Sequence, residues 1–460
     1  MIFNRVSYTF SNINKNIVGM ESKVKEMINH LDLEMNDAVR IIGIYGMSGV
    51  GKRTLAEVVF DKISDQFESS SFLSNIREIS RKANGPVTLQ AQLLSETKEK
   101  DSITIWTARA GAYMIKNWLF RKWILLVLDD VDRLDQLSVL AGSHDWFGLG
   151  SRIIVTAKDK HVLIEHGADE IFQLCGMNQY EAQEFFCLKA FKSRHPLEGY
   201  IQLSNEFVNY INGLPLALEV FGSFVFGRTV KEWESALKRL KEVPNREIFA
   251  VLRINYDGLE EIEKKIFLDI ACFFKGDDKD QLIKILDSCG LSAEIGIRVL
   301  IDRSLVTLSD NKLCMHNLVQ ELGLRIIHLE EPAEPGKRSR VGRNEDVQHV
   351  LMGNTGTNAV EALIINCSEE EWDQECIRCS PKAFSNMSRL RLLKVRRYLD
   401  FPQGIEYLSK ELCFLEWFQY PLKYLPSSCF PPNKIVEIIM CYRKIERLWT
   451  DLGEPQIDQS

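Results

Sequence analysis

Arg40-Ile-Ile-Gly-Ile-Tyr-Gly-Met-Ser-Gly-Val-Gly-Lys-Arg-Thr-Leu-Ala56 decides how the chain is read. Its apolar run, Ile41, Ile42 and Ile44, predicts a buried strand. Three glycines follow at 46, 49 and 51, then Lys52 and a segment that reads as a helix. Strand, glycine loop, lysine and helix in that order fit the phosphate-binding P-loop, G-x-x-x-x-G-K. Glycines let backbone N–H groups curl round a phosphate with no Cβ in the way, and the helix N-terminus adds a positive field. Gly46, Gly49, Val50 and Gly51 are the expected cradle, and Lys52 the mobile charge for the β- and γ-phosphates. One position departs from the pattern. The residue after the lysine is normally Ser or Thr, whose hydroxyl holds Mg²⁺; here it is Arg53, with Thr54 one place late.

Working outward, 460 residues suffice for about three or four domains. The 45% apolar and 26% charged residues are ordinary for a globular protein. A net charge of −7, from 57 basic and 64 acidic side chains, argues against nucleic acid as a partner. No apolar run approaches the roughly 18 residues of a membrane helix, so no membrane is expected either. Met1-Ile-Phe-Asn-Arg-Val-Ser-Tyr8 lacks the charged-then-apolar layout of a signal peptide. The 11 cysteines sit mostly in apolar segments and read as reduced thiols in the cytoplasm, with the nucleus as the other compartment. Cys376-Ile-Arg-Cys379 is a lone C-x-x-C without two further ligands at zinc spacing, so no metal is expected there.

Downstream of the P-loop, Phe72-Leu-Ser-Asn-Ile-Arg77 reads as a second strand. Trp123-Ile-Leu-Leu-Val-Leu-Asp-Asp130 is an apolar run that ends in two acids, the form of a strand buried on both faces. Carboxylates at the C-terminal end of such a strand fall in the crevice where doubly wound sheets bind ligands. Asp129 is then the candidate Mg²⁺ ligand and Asp130 the candidate that orients an attacking water. Ser151-Arg-Ile-Ile-Val-Thr156 is a further strand, and Lys158 beyond it is either a γ-phosphate sensor or a solvated charge. Strands alternating with helices from Val39 to about Leu174 give a parallel α/β sheet.

From Asn178 the pattern turns helical, over Tyr180–Phe191, Tyr200–Ile211 and Leu216–Phe226, with Pro215 at a helix start. Helical stretches from Ile266 to Asp302 lead into a hairpin, Ser304–Leu308 and Lys312–His316, which suggests a winged helix. No basic recognition helix accompanies it, so DNA binding is not expected. Glu330–Asn344, rich in Pro, Glu, Arg and Lys, reads as an exposed connection. Beyond it Leu390–Val395, Leu412–Trp417 and Ile435–Met440 share an L-x-x-L-x-L outline. Leu393, Leu415 and Ile438 are 22 and 23 residues apart, a leucine-rich-repeat period. Leu425-Pro426 and Leu448-Trp449 fall at similar offsets after their strands.

Taken in order, these pieces resemble the plant NB-ARC leucine-rich-repeat immune receptors. The resemblance rests on Gly46–Lys52, Leu125–Asp132, Gly150–Thr156, Gly213–Ala217 and Met315-His316, and runs from Ile17 onward. Asp132, Phe72–Glu78 and Phe267–Phe274 are similar to the subclass that carries an N-terminal TIR domain, which is expected to be missing here along with most of the repeats. The resemblance implies an α/β P-loop NTPase (STAND/NB-ARC) followed by helical and winged-helix subdomains and a short leucine-rich-repeat solenoid. The expected bounds are 1–16 for an N-terminal extension, 17–176 for the nucleotide-binding subdomain, 177–245 for the helical and 246–330 for the winged-helix subdomain. A linker and the first repeat follow over 331–385, truncated repeats over 386–450 and a tail over 451–460.

The same resemblance implies an ADP/ATP switch, with Val18 and Gly19 against the adenine, Pro215 beside the nucleotide and His316 at the β-phosphate of ADP. Other receptor chains or signalling proteins are the implied partners, in a homo- or hetero-oligomer. Three positions depart from the family: Arg53 for the Mg²⁺-binding Thr, Ala157-Lys158 for Thr-Arg, and Asn317 for the Asp after His316. The expectation is that nucleotide is still bound, that Mg²⁺ is held weakly or in an altered way with Arg53 supplying part of its charge to a β-phosphate oxygen, and that ATP hydrolysis is at most slow. The alternative is a nucleotide-free interaction scaffold. A metabolic ATPase or kinase is disfavoured, because no second-substrate site is visible.

Overall fold

The structure, a computed structural model, describes residues 18–97, 104–242, 245–365, 377–425 and 434–440. The expected N-terminal extension and tail, Cys376, Pro426 and Leu448-Trp449 lie outside the described residues. The chain divides into two compact units, one running to Asp257 and including Asp302–Leu305, the other holding Gly258–Ile301 and the residues from Val306 on.

In the first unit, the apolar runs form a five-stranded sheet of β1 (Arg40–Tyr45), β2 (Ser69–Leu73), β3 (Ile124–Val131), β4 (Arg152–Ala157) and β5 (Glu170–Gln173). Its order is β2-β3-β4-β1-β5, parallel throughout. Ile124 to Leu128 are fully buried because helices cover both faces, which is why these strands read as unbroken apolar runs rather than alternations. Leu89, Leu93, Ile115 and Leu119, from the helices Gly85–Thr97 and Ala108–Leu119, pack against Ile124, Leu126, Ile153 and Val155. The second strand begins and ends earlier than expected. Asn75 takes a left-handed conformation (φ 55°), extended pairing stops at Leu73, and Ile76–Ser80 turns helical, so Arg77 sits on a helix.

Beyond β5 the first unit is helical: Gln179–Phe191, Ile201–Ile211, Pro215–Val225, Val230–Glu242 and Arg246–Asp257. Trp233 organises part of it. The indole donates to the Val225 carbonyl at 3.0 Å and meets the rings of Phe186, Phe191, Tyr200 and Phe207 at 5.1 to 5.9 Å. Such edge and stacked contacts add to the burial of the rings themselves.

The second unit starts with the helix Glu261–Asp269, which continues as a π-helical turn over Ile270–Phe274. Helices Lys279–Ser288 and Ala293–Asp302 follow, then an antiparallel hairpin of β6 (Thr307–Ser309) and β7 (Lys312–Cys314), then the helix Asn317–Glu330. Asp310 and Asn311 turn the hairpin with φ of 49° and 62°, the left-handed pair that a tight connection requires.

A second parallel sheet completes this unit. It contains β8 (Arg340–Val341), β9 (Ala362–Ile365), β11 (Leu392–Val395), β13 (Phe414–Trp417) and β14 (Glu437–Ile439), while β10 (Ile377–Arg378) and β12 (Leu399–Asp400) pair separately. Val341, Leu363, Leu393, Leu415 and Ile438 stand in one row across the five strands, so the spacing of the last three is the register of the sheet. The stretch Glu330–Asn344 is therefore more than an exposed connection: it contributes β8, and Arg338 and Arg340 are buried. Arg338 donates to Asp346 at 2.7 Å and Arg340 to Asp269 at 2.8 Å, and this pairing is what lets arginines go inside.

Candidate nucleotide site

The C-terminal ends of β1, β3 and β4 converge in the first unit, and the chemistry-bearing residues sit there. β1 runs into the glycine loop, and Lys52 opens the helix Lys52–Ile63. Gly46 is required by close approach, since a Cβ would lie 2.5 Å from the Leu174 carbonyl oxygen. Gly49 has φ 81°, and its carbonyl accepts the Leu216 N–H at 3.2 Å, which brings the start of the Pro215–Val225 helix onto the loop. Gly51, at φ 100°, caps the helix without a side chain, so no capping group covers the first-turn N–H donors. Val50 is buried beneath the loop. The cradle fits a polyphosphate, with open backbone donors at a helix N-terminus and a lysine beside them.

Lys52 Nζ donates to the carbonyls of Gly46 (2.7 Å) and Met47 (3.1 Å), two arms of its own loop. Burial and the nearby Lys158 pull its ammonium down to about 7 against the attraction of Asp130 and Asp129. Such a lysine is primed to gain charge beside an anion.

Val18 and Gly19 form a turn just ahead of the helix Glu21–Leu31, and the side chain of neighbouring Met20 reaches Gly51, so this turn adjoins the loop. Thr54 lies two residues into the P-loop helix. His316 belongs to the second unit, where its Nδ1 caps the helix Asn317–Glu330 by accepting the Leu318 N–H at 3.2 Å. The neighbouring Asn317 Oδ1 accepts from Lys275 Nζ at 2.8 Å.

Arg53 does not reach into the cradle as a substitute phosphate ligand. Its Nε donates to Asp129 Oδ2 at 2.8 Å, its Nη2 donates to the same oxygen, and Nη2 also donates to Asn75 Oδ1 at 2.6 Å. The other oxygen of Asp129, Oδ1, accepts from Thr156 Oγ1 at 2.7 Å. Asp129 is 3% exposed. Both carboxylate oxygens are engaged, and the residue that should bring a metal-binding hydroxyl brings a guanidinium. These residues do not fit Mg²⁺. Among the described residues, no group of three or more His, Cys, Asp or Glu could hold a metal ion.

Asp130 follows a shift of register between β3 and β4, with φ 59°, and its N–H is held by Thr156 Oγ1 at 2.9 Å. Its carboxylate accepts from Arg77 Nε at 3.0 Å and faces Lys158 Nζ at 3.4 Å. Burial pushes its pKa up, but Lys158 and Arg77 together outweigh burial and hold it below the ordinary carboxylate range. A carboxylate so held accepts a proton poorly. Burial depresses Lys158 in turn, opposed by Asp130.

Three contributors escaped the sequence reading. Arg77 was read as part of a strand. Asn75 carries no motif signal of its own. Asn255 Oδ1 accepts from Ser48 Oγ at 3.1 Å across 207 residues of chain, and both side chains are buried.

Comparisons with known proteins agree with this geometry. The NB-ARC domain model matches residues 20–195, and that of the Roq1-like winged-helix domain of disease resistance proteins matches residues 260–330. Disease resistance protein RUN1 of Vitis rotundifolia is 40% identical, over 97% of this chain and 35% of its own length. TMV resistance protein N of Nicotiana glutinosa is 38% identical, over 95% of this chain and 38% of its own. The chain thus spans about a third of the length of the curated relatives it matches. Among solved structures, a Walker-type ATPase of Pyrococcus abyssi aligns over 68% of this chain and 97% of its own, at TM-score 0.44 and 16% identity. Among the described residues, no helix is long and apolar enough to cross a membrane.

Proposed function

The chain carries the NB-ARC domain and the Roq1-like winged-helix domain of plant disease resistance proteins, and from that premise we propose that it is a nucleotide-regulated switch of plant innate immunity. One observation carries the reading. The glycine loop is closed by the Leu216 N–H on Gly49, with Lys52 poised between two loop carbonyls at the mouth of a helix N-terminus. That arrangement is built to take phosphates. The nucleotide is ADP or ATP, cradled by Gly46, Gly49, Val50, Gly51 and Lys52, with Val18 and Gly19 on its base side and Pro215 at the loop's far edge.

Hydrolysis is at most slow. Phosphoryl transfer depends on positioned charge at the leaving oxygens, and both acids that normally organise it are spent on cations of the protein itself. Output then depends on which nucleotide is bound, and on a second chain, another receptor or a signalling protein, in a homo- or hetero-oligomer in the cytoplasm or nucleus. Residues 386–450 act as a short leucine-rich-repeat surface, behind a nucleotide-binding subdomain at 17–176, a helical one at 177–245 and a winged-helix one at 246–330.

The test is nucleotide released by heat from the purified chain and identified by chromatography. Near-stoichiometric ADP or ATP, lost in Lys52→Ala, is expected. A chain that purifies empty and takes up neither nucleotide in calorimetry is the interaction scaffold instead, with the shape of the site and none of its chemistry.

A further inference from the structure

Asp129 ends the buried run of β3, where a P-loop site would place its metal-facing acid. In this chain that acid is already neutralised. Arg53 covers Oδ2 with two N–H groups and Thr156 covers Oδ1, while Asn75, in its left-handed turn, accepts from the same Nη2 of the guanidinium. A guanidinium is charged at every accessible pH and matches a carboxylate in shape. A divalent cation approaching Asp129 must first break this pair and leave Arg53 without its counter-charge. Asp129 is the buried member of the pair, and two N–H groups of Arg53 together with the Thr156 hydroxyl already fill the positions on its oxygens that a cation would need.

We infer that this chain holds a nucleoside diphosphate without any divalent cation, the Arg53–Asp129 pair standing where the metal would sit, and that it discriminates against the metal–triphosphate complex. The inference rests on the nucleotide-switch reading and specifies its ligand. The charge count gives the direction. Mg²⁺ beside an aspartate leaves one net positive charge next to the phosphates; arginine beside the same aspartate leaves none. Lys52, the helix N-terminus and the partly engaged Lys158 remain for the phosphates. That complement suits a diphosphate, and the additional charge of a triphosphate finds nothing to match it. Arg53 is 40% exposed, but its Nε and Nη2 are committed to Asp129 and Asn75, so it brings no free charge to the phosphates.

Calorimetry on the full chain, stripped of nucleotide and titrated with ADP and with ATP, each in excess MgCl₂ and in EDTA, tests this. The expected result is ADP bound more tightly in EDTA than in excess MgCl₂, where the cation competes by complexing free ADP, and ATP bound at least about tenfold more weakly than ADP in both. In Arg53→Thr, ATP binding gains about tenfold and becomes EDTA-sensitive. A loss of ADP affinity in EDTA, or ATP bound as tightly as ADP, overturns the inference and leaves the nucleotide reading standing. An Arg53→Thr chain that binds ATP no better in MgCl₂ than in EDTA overturns the assignment to Arg53. No binding of either nucleotide by the wild-type chain overturns both. Should Arg53→Thr fail to fold, electron paramagnetic resonance of Mn²⁺ added to the wild-type chain with ADP decides: only the free-aqueous signal and that of Mn²⁺–ADP in solution are expected, and a protein-bound signal refutes the inference.

Discussion

At the scale of single residues, the protonation of Lys52 is the most exposed consequence of the site. Its folded pKa of about 7 lies far below the ordinary lysine value, because burial and Lys158 disfavour the charge. A polyphosphate against Nζ favours the charged form and returns the pKa upward. Binding therefore takes up a proton at any pH between the free-chain pKa and the bound one. Affinity is level below about pH 7 and falls as pH rises through that window. Calorimetry near pH 8 in buffers of different ionisation heat should report net proton uptake, and Lys52→Arg, charged throughout, should report none. Equal binding heats in all buffers would mean that Lys52 stays charged in the free chain.

The glycines and Lys52 were legible in the sequence because the loop needs them at fixed local offsets. The destination of Arg53 was not: that it turns to Asp129 and Asn75 rather than to a phosphate depends on side chains 76 and 22 residues away. The Ser48–Asn255 bond joins still more distant positions, and no local pattern announces it.

Among the elements, strand and helix identities followed from apolar runs and periodicity; the left-handed Asn75 cut the second strand short, and the other misreading has a different cause. Composition registers charge without its partner, so Glu330–Asn344 read as exposed although Arg338 and Arg340 are paired and buried. The helix Asn317–Glu330 shows the same principle in reverse. Its first residue is the amide of Asn317 where the family has an acid, and with Gln320 it gives Lys275 two neutral acceptors at 2.8 Å. Burial lowers the Lys275 pKa, with Cys314 and Glu321 opposing. Asn317→Asp places a negative charge both at the positive end of the helix and on Lys275. For a half-exposed pair the gain should be about 1 kcal/mol. The new carboxylate would have a folded pKa below its unfolded one, so the gain is present at neutral pH and disappears as pH falls through that lowered value. Urea denaturation of both chains near pH 7 and again near pH 3 measures it; a variant no more stable at neutral pH counts against the pair, and Lys275→Met should remove the part of the gain that the pair supplies, leaving the helix-end part.

For the molecule as a whole, the second unit is tied together by charges, of which the sequence reading placed only Arg340 in an exposed connection. Asp269, fully buried at the end of the helix Glu261–Asp269, accepts from Arg340 of β8 and from Arg391, just before β11, at 2.8 Å each. Nearby, Lys394 of β11 donates to the Phe273 carbonyl at 2.8 Å and to Asp277 at 2.7 Å, with its ammonium 4.2 Å from the centre of the Phe274 ring. The winged-helix segment and the parallel sheet thus share one ionic seam, with Asp269 and Asp277 on one side and Arg340, Arg391 and Lys394 on the other, Arg391 also facing Glu361 at 3.5 Å. Asp269→Asn keeps the shape and removes the charge, leaving two buried guanidinium groups facing a neutral amide. Loss of one partner from such a group costs about 3–5 kcal/mol. Because the acid serves both parts, the loss should spread through the unit rather than stay on one helix. Hydrogen exchange read by mass spectrometry separates the cases. Protection should fall together in Glu261–Asp269, in β11 and in β13, while β1, β3 and β4 of the first unit keep theirs. Loss confined to the helix alone would show that the seam is a local ornament and that the sheet holds without it.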